Sequence, residues 1–245
     1  MEKNKRRLKL KDIIYIITTT LLVAGLATSI VFLTIRAQQH DDEESYYTQK
    51  IEMFSRENAN FSHGQIVFIG DSITDLYHLD DYYADLDKAV YNRGIGGDTT
   101  QGVIDRLHVS LYEIKPTKVV LMIGINDING FKSTDYIVDN YETILSKIQK
   151  NLPTTEVYTM SITPQNHVVE TYANWINVVN SNNKAKTINV EIEKLATKYG
   201  YTYLDLYSKL VDSDDLLTAS YTDDGIHLNH NGFTVWTNLV KPYLI

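Results

Sequence analysis

The feature that most constrains the fold of this chain is the alternation of short apolar segments with longer helical patterns after residue 64. Segments rich in Val, Ile, Tyr and Thr are typical of strands, and they fall at Gln65–Ile69, Ala89–Tyr91, Lys118–Ile123, Glu156–Ser161 and Thr202–Leu204. Helical patterns fall at Thr99–Tyr112, Thr134–Asn151, Asn182–Tyr199 and His230–Tyr243. Strands that alternate with helices predict an α/β fold, in which helices cover both sides of a parallel sheet.

The first 36 residues differ from the rest of the chain. Six basic residues lie between positions 3 and 11, and Ile13 to Ile35 then runs for 23 residues without a charge. Such a stretch is long enough to cross a bilayer core of roughly 30 Å as a helix. Because a positive flank stays in the cytoplasm, we predict that residues 1–12 are cytoplasmic, that 13–35 form a transmembrane signal anchor, and that the remainder is extracytoplasmic.

A cleaved signal peptide is the alternative, and it would release the protein by secretion. The apolar core of a signal peptide is usually shorter than this one. The segment Thr34-Ile35-Arg36-Ala37 is also a poor cleavage site, so we favour the uncleaved anchor. Residues 36–60 are polar and acidic with helical spacing, and we predict that they form a stalk or linker helix leading into a domain at 61–245.

The charge balance narrows the range of partners. Seven of the 23 basic residues and two of the 31 acidic residues lie in the first 36 positions, so residues 37–245 carry a net charge of −13. This charge argues against nucleic acid or anionic lipid as an electrostatic partner. Cysteine is absent, which excludes disulfides and thiolate metal sites.

Three glycine-containing motifs each follow a predicted strand closely, namely Gly70-Asp71-Ser72, Gly96-Gly97-Asp98 and Gly124-Ile125-Asn126. The carboxyl ends of parallel strands lie along one edge of a sheet, where such folds bind their ligands. A fourth motif, Asp224-Gly225-Ile226-His227, lies in a loop just before the last helix. We therefore expect the first three motifs to converge at this edge.

Ser72 and His227 are the candidate nucleophile and general base. A serine needs a base to take its proton, and the base needs a group that orients it. Asp224 lies three residues before His227, so its carboxylate can reach Nδ1 and leave Nε2 facing Ser72. Each residue alone has a simpler interpretation: Ser72 as a helix N-cap, and His227 as a surface histidine beside an unrelated carboxylate.

Gly97 and Asn126 are candidate oxyanion donors. A glycine N–H can approach a substrate closely because no Cβ intervenes, and an asparagine amide supplies a second donor. Taken singly, Gly96-Gly97 also fits a tight turn and Asn126-Asp127 an Asx turn. Asp98 and Asp127 suggest a metal, but they belong to no ligand cluster with recognisable spacing, so we predict no metal.

Four sequence blocks resemble those of the SGNH (GDSL-like) hydrolases. They are Gly70-Asp71-Ser72-Ile73-Thr74, Asn92-Arg93-Gly94-Ile95-Gly96-Gly97-Asp98-Thr99, Gly124-Ile125-Asn126-Asp127 and Asp224-Gly225-Ile226-His227-Leu228-Asn229. All four occur in order and together frame residues 66–245. The wording of the second block is particularly similar to the acetylhydrolase-like and lysophospholipase-like branch.

The resemblance implies a three-layer α/β/α fold of flavodoxin type with about five parallel strands. It implies Ser72 as nucleophile, with Asp224 and His227 completing a catalytic triad. It also implies an oxyanion hole formed by the Ser72 N–H, the Gly97 N–H and the Asn126 side chain, with Gly96 as the alternative to Gly97. No metal or organic cofactor is required.

These inferences together predict a membrane-anchored extracytoplasmic serine esterase that acts on short acyl esters, above all acetyl groups of small esters or of surface glycans. Alternatives are a lysophospholipase or thioesterase for longer chains and a glycan O-acyltransferase. A non-catalytic binding module is less favoured, because every triad member is present. Substrate contacts are expected from Asp71, His167 and Trp175. The alternative for Asp71 is to position the turn through backbone contacts, and aromatic side chains in such a loop are as often simple packing.

Overall fold

A computed structural model describes residues 9–169 and 178–245 of the chain. It divides into two compact units, Met1–Thr48 and Gln49–Ile245. The first helix, α1 (Leu10–Asn58), contributes residues to both units. Each unit is described by itself below.

Among its described residues, the first unit contains one helical stretch, Ile17–Gln39, that is long and apolar enough to cross a membrane, with a mean hydropathy of 1.9 over its most apolar part. It begins four residues later than the predicted segment 13–35. Hydroxyl groups in and beside it bond back to carbonyl groups of the preceding turn, as Thr19 does to Tyr15 O at 2.7 Å and Ser29 to Gly25 O at 2.9 Å. Such internal bonds satisfy hydroxyl groups that a bilayer would not solvate.

The second unit begins at Gln49, within the segment 36–60 that the sequence analysis assigned to a stalk. Phe54 in the last part of α1 is completely buried. Glu57 and Asn58 accept hydrogen bonds from the Arg93 guanidinium at 2.7 and 2.8 Å. These contacts give the end of α1 a structural role in the domain, so the folded unit starts earlier than the predicted boundary at 61.

A five-stranded parallel sheet lies at the centre of the second unit, in the order β2-β1-β3-β4-β5. All five residues of β1 are buried, as expected for a central strand covered on both faces. The architecture confirms the predicted SGNH-type α/β/α fold. The strands are β1 (Ile66–Gly70), β2 (Val90–Gly94), β3 (Lys118–Met122), β4 (Glu156–Met160) and β5 (Thr202–Leu204).

The helices of this unit alternate with the strands and cover the sheet. They are α2 (Ser72–Asp75), α3 (Asp80–Tyr83), α4 (Thr100–Leu107), α5 (Ile125–Asn129), α6 (Thr134–Asn151), α7 (Val178–Tyr199), α8 (Tyr207–Leu210) and α9 (His230–Val240). α6 packs against both α4 and α7. α9 contributes Trp236, whose ring lies 6.1 Å from that of Phe68 in β1. This packing fixes the strand ends from which the functional loops leave.

Candidate active site

The carboxyl ends of the three strands β2, β1 and β3 lie level with one another. Gly70 is paired with Gly94 on one side and with Met122 on the other. The three glycine-containing motifs therefore leave the sheet side by side, at the edge where parallel α/β sheets bind ligands.

Ser72 is the first residue of α2, directly after the turn that ends β1. The Asp71 carboxylate caps this helix by accepting a hydrogen bond from the Ile73 N–H at 3.0 Å. The cap leaves the Ser72 N–H without an acceptor among the described residues. Ser72 thus offers both a hydroxyl group and a main-chain N–H at the same point.

Ser72, His227 and Asp224 form one continuous chain of hydrogen bonds. The Ser72 Oγ lies 2.9 Å from Nε2 of His227, and Nδ1 of His227 lies 2.6 Å from Oδ2 of Asp224. An imidazole held in this way can take a proton from the serine while the carboxylate stabilises the imidazolium that forms. This geometry is the one required for nucleophilic acyl transfer.

The Asp224 carboxylate is itself held by its own loop. Its Oδ1 accepts from the main-chain N–H groups of Ile226 at 2.9 Å and His227 at 2.8 Å. Partial burial would raise the pKa of the Asp224 carboxyl, but the hydrogen bonds from the His227 side chain and from these two amides hold that pKa below its ordinary value. Asp224 is therefore ionised and fixed in orientation.

Two side chains outside the triad shape the loop that carries it. Thr222 Oγ1 accepts from the Gly225 N–H at 2.8 Å, and Asn229 caps α9 by accepting from the N–H groups of Asn231 and Gly232. The loop after β4 joins this arrangement, because the Asn166 N–H donates to Gly225 O at 2.8 Å. The triad loop is thus tied at both ends and in its middle.

The two glycines after β2 differ in what their amides bind. The Gly96 N–H donates to Oδ2 of Asp75 at 3.0 Å and is occupied. Gly97 has a φ of +78°, and its N–H has no acceptor in residues 9–169 or 178–245. This difference favours Gly97 over Gly96 as the donor to a substrate oxygen.

Asn126 lies in the first turn of α5, directly after the loop that ends β3. Its Nδ2 donates one hydrogen to the main-chain oxygen of Asp98 at 2.9 Å. An amide nitrogen carries two hydrogens, and the second has no acceptor among the described residues, so it can donate to a substrate oxygen. The bond to Asp98 also joins the Asn126 donor to the loop that carries Gly97.

Asp98 and Asp127 serve the scaffold. Asp98 forms a buried ion pair with Arg106 at 2.7 Å, and Asp127 accepts from the N–H and the hydroxyl of Thr100, both at 2.8 Å. Within the described ranges, no three or more His, Asp or Glu side chains form a group that could hold a metal ion.

The three residues expected to contact substrate have different outcomes. Asp71 is only 1% exposed and caps α2, so the structure makes it a buried structural group that a substrate does not reach. His167 is exposed and directly follows Asn166, which is bonded to the triad loop. Trp175 lies outside the described residues.

A cavity of about 460 Å³ adjoins the triad and includes His227 and Asp224 in its wall. Its other polar and charged side chains are His78, Asp81, Tyr82, Asp223, Asn229 and His230, and its apolar side chains are Leu76, Leu228 and Phe233. The Tyr82 hydroxyl and Nδ1 of His230 are 2.9 Å apart and join the two sides of this wall. The cavity therefore offers a polar, acidic surface beside His227.

The sequence analysis missed two residues that hold the site together. Thr222 orders the triad loop, and Arg106 binds groups at the ends of β1 and β2. Arg106 lies on the buried face of α4, three residues after the buried Val103. A charged residue at a buried helical position is a signal that could have identified it, because a buried guanidinium must have acceptors.

Comparison with known proteins gives a consistent result. The sequence model of the GDSL-like Lipase/Acylhydrolase family matches residues 68–235. Platelet-activating factor acetylhydrolase IB subunit alpha1 of Rattus norvegicus is 28% identical over 178 residues, which cover 69% of this chain and 70% of that protein.

Solved structures extend the comparison to the fold. A Streptococcus pneumonia protein named after platelet activating factor superposes with a TM-score of 0.79 and 28% identity, covering 86% of this chain and 99% of that one. A GDSL-like lipase of Bacteroides thetaiotaomicron gives a TM-score of 0.69 at 23% identity, covering 79% of this chain and 96% of that one. The second likeness bears on the fold alone.

Proposed function

Because the chain belongs to the GDSL-like lipase/acylhydrolase family and is an ester-hydrolysing serine hydrolase, we propose that it removes short acyl groups, above all acetyl groups, from small esters or O-acylated glycans at the outer face of a membrane. Ser72 is the nucleophile, His227 the general base and Asp224 the group that orients the base. The Ser72 N–H, the Gly97 N–H and the Asn126 amide form the oxyanion hole.

The reaction proceeds by acyl transfer through an acyl-enzyme. His227 takes the Ser72 proton as Oγ attacks the ester carbonyl, and the three donors stabilise the oxyanion that develops. The alcohol leaves with the proton held by His227. Water, activated by the same imidazole, then attacks the acyl-enzyme, and Ser72 is restored as the acid leaves.

One observation carries this proposal: the unbroken hydrogen-bond chain from Ser72 through His227 to Asp224, with separations of 2.9 and 2.6 Å. A helix cap alone would not bring a histidine 155 positions away to the serine hydroxyl. Nor would a surface histidine be held on both ring nitrogens.

Two observations support a short acyl group and a polar alcohol. The curated relative and a solved neighbour, each 28% identical, carry names that refer to an acetylhydrolase or to platelet-activating factor. The cavity beside His227 is lined by the carboxylates of Asp81, Asp223 and Asp224. A long acyl chain against these carboxylates would remove water from them, and burying a charged group in an apolar environment is costly.

The proposed location rests on the N-terminal sequence. The apolar helical stretch Ile17–Gln39 follows a segment rich in Lys and Arg. Positive residues that precede an apolar helix remain in the cytoplasm, which orients the hydrolase domain outward.

An ester series with the full-length chain in an ester-free detergent tests the reaction. We expect the specificity constant for p-nitrophenyl esters to be highest at acetate and to fall as the chain lengthens towards palmitate. Ser72→Ala, compared at equal thermal stability, should abolish turnover of every ester.

Three results would change the proposal. A rate that rises with chain length would replace the acetyl specificity by a lysophospholipase or thioesterase activity. Turnover that survives in Ser72→Ala would remove Ser72 from its role. Acetyl transfer to an added glycan in preference to water would make the enzyme an acyltransferase.

A further inference from the structure

Arg106 is a buried arginine with an unusually full set of partners. Its side chain is 1% exposed and lies on α4. Nε donates to Oδ2 of Asp98 at 2.7 Å and Nη2 to Gly70 O at 2.9 Å. Nη1 donates to Arg93 O at 2.8 Å and to Ser110 Oγ at 2.9 Å. Burying a guanidinium is costly, so a residue satisfied in this way calls for an explanation.

Three of these four acceptors belong to the segments that carry the oxyanion donors. Gly70 precedes Ser72 by two residues, and Arg93 lies four residues before Gly97 at the end of β2. Asp98 directly follows Gly97, and its main-chain oxygen accepts from the Asn126 amide at 2.9 Å. A single planar group therefore connects the segments that present all three donors.

We propose that Arg106 is a positioning residue for the oxyanion hole, acting through the spacing it imposes on the Ser72 N–H, the Gly97 N–H and the Asn126 amide. This inference rests on the function proposed above for those donors. Arg106 itself is too deeply buried to touch substrate.

The rigid geometry of the guanidinium explains why arginine stands here. Its donors point in fixed in-plane directions, so it can hold two main-chain carbonyls and a carboxylate at set separations. A lysine retains the charge but concentrates its donors on one flexible nitrogen. Oxyanion stabilisation depends on donors that are already in place when charge develops, so a loss of spacing lowers the rate of the chemical step.

A second buried arginine provides a matched control. Arg93 has a side chain that is 2% exposed, but its guanidinium binds Glu57 and Asn58 at the end of α1. It also lies over the rings of Phe54 and Phe61. Its side chain thus ties α1 to the sheet, and its replacement leaves every main-chain acceptor of Arg106 in the chain.

The experiment measures covalent labelling of the full-length chain in detergent by a small fluorophosphonate, whose reaction needs Ser72 and the oxyanion hole but no natural substrate. We expect Arg106→Lys to lower the maximal inactivation rate by about tenfold or more, with the inactivator concentration for half-maximal rate changed less than about threefold. Arg93→Lys, matched for thermal stability, should change both constants by less than about threefold.

A double substitution tests whether Arg106 acts through the donors. In the Asn126→Ala background, Arg106→Lys should cost at least about threefold less than it does in the unaltered chain, because one of the groups it positions is gone. Effects that multiply in full would overturn the proposal. So would equal effects of Arg106→Lys and Arg93→Lys on the maximal rate.

Two further arms keep the outcomes separate. If Arg106→Lys unfolds at the assay temperature, Asp98→Asn is used in its place, because Asp98 is the ion-pair partner of Arg106. An Asp98→Asn labelling rate equal to that of the unaltered chain would overturn the proposal. The unaltered chain could label at Ser72, and Arg106→Lys could slow that labelling, while short esters are not hydrolysed. That result would support the positioning role and contradict the proposed substrate class. Failure of the unaltered chain to label at Ser72 would overturn both.

Discussion

Asp71 and Asp224 are two carboxylates near the same serine in opposite environments. Hydrogen bonds to Asp224 outweigh its partial burial and hold its pKa below the ordinary value. Burial, together with the nearby Asp98 and Asp127, raises the pKa of Asp71 to about 7 against the lowering effects of the Ile73 amide and Arg106. Asp224 can therefore serve as a permanent anion, whereas Asp71 holds a proton up to neutral pH.

We predict that Asp71→Asn removes a pH dependence from the stability of the fold. Between about pH 4 and 7 the folded chain keeps the Asp71 proton, whereas the unfolded chain releases it. The free energy of unfolding therefore falls as the pH rises, by up to about 1.4 kcal/mol per pH unit. The asparagine oxygen can still accept from the Ile73 N–H. The free energy of unfolding of Asp71→Asn minus that of the unaltered chain should rise from pH 5 to 7 and become constant above pH 8.

Urea unfolding followed by tryptophan fluorescence, to which the buried Trp236 contributes, provides the measurement. Asp105→Asn is the control, because it makes the same charge change at an exposed position of α4. A difference that is independent of pH for Asp71→Asn, or the same slope for both variants, would contradict the burial argument.

The helix that carries Ser72, the proposed nucleophile, is among the shortest elements of the domain. Four residues, Ser72–Asp75, are too few to form a stable helix alone, so the surroundings of α2 must hold it. Asn92 in β2 does so by donating to the main-chain oxygens of Thr74 at 2.7 Å and Tyr77 at 2.9 Å. The edge strand β2 thus supports the turn that carries Ser72 as well as extending the sheet.

Gly94→Ala tests this contact between β2 and α2. A Cβ at Gly94 would lie 2.2 Å from Asp75 N and 2.6 Å from Thr74 C, so strand and helix must separate. We expect the free energy of unfolding to fall by about 3 kcal/mol. The maximal rate of ester hydrolysis should fall as well, because the displacement reaches the turn that carries Ser72.

The control for this prediction is Gly200→Ala at the end of α7. Gly200 has a φ of +71°, but an added Cβ there meets nothing within 4 Å. Its replacement should cost about 1–2 kcal/mol through the backbone conformation alone and leave the rate unchanged. A Gly94→Ala enzyme with an unaltered rate would show that α2 is positioned independently of β2.

Long elements were predictable from the sequence and short ones were not. α6 spans 134–151 as predicted, because its five buried apolar residues repeat over several turns. α2, α5 and α8 have four or five residues each, too few for a period to emerge. β2 extends to Gly94, three residues beyond the predicted segment. The prediction stopped early because Asn92 and Arg93 are not typical strand residues. In the structure their side chains are bound by Thr74, Glu57 and Asn58.

The candidate site divides in the same way. The order of the four motifs, together with the family resemblance, was enough to propose the triad and the oxyanion donors. The resemblance already placed Gly97 in the oxyanion hole with Gly96 as the alternative, but a physical reason for that choice came only from the bond between Gly96 and Asp75, residues 21 positions apart. Arg106 could have been identified as a buried charge on the apolar face of α4, but its partners could not, since two of its acceptors are main-chain oxygens of Gly70 and Arg93, which residue type does not reveal.

Charge is distributed unevenly over the chain as a whole. The segment before the apolar stretch is rich in Lys and Arg, whereas residues 37–245 hold 29 acidic and 16 basic residues. A basic flank directs the orientation of an apolar helix in a membrane. An acidic domain is repelled by anionic lipid headgroups. This distribution of charge supports the orientation proposed above for the N-terminal helix.

The full-length chain, expressed in a host that can be converted to protoplasts, should sediment with membranes and resist extraction at high pH. Protease added outside the protoplasts should remove the hydrolase domain, and the intact mass should include the N-terminal segment.

Leu22→Asp combined with Leu26→Asp should release the chain from the membrane, because each charge at the middle of a membrane helix costs about 3 kcal/mol. The control is Val190→Asp, which places a charge on the exposed side of α7 and should leave the chain membrane-bound. Leu107→Asp would not serve, because Leu107 is buried in the domain core. A shortened product in the medium would instead identify the apolar helix as a cleaved signal peptide and leave the hydrolase domain free to diffuse.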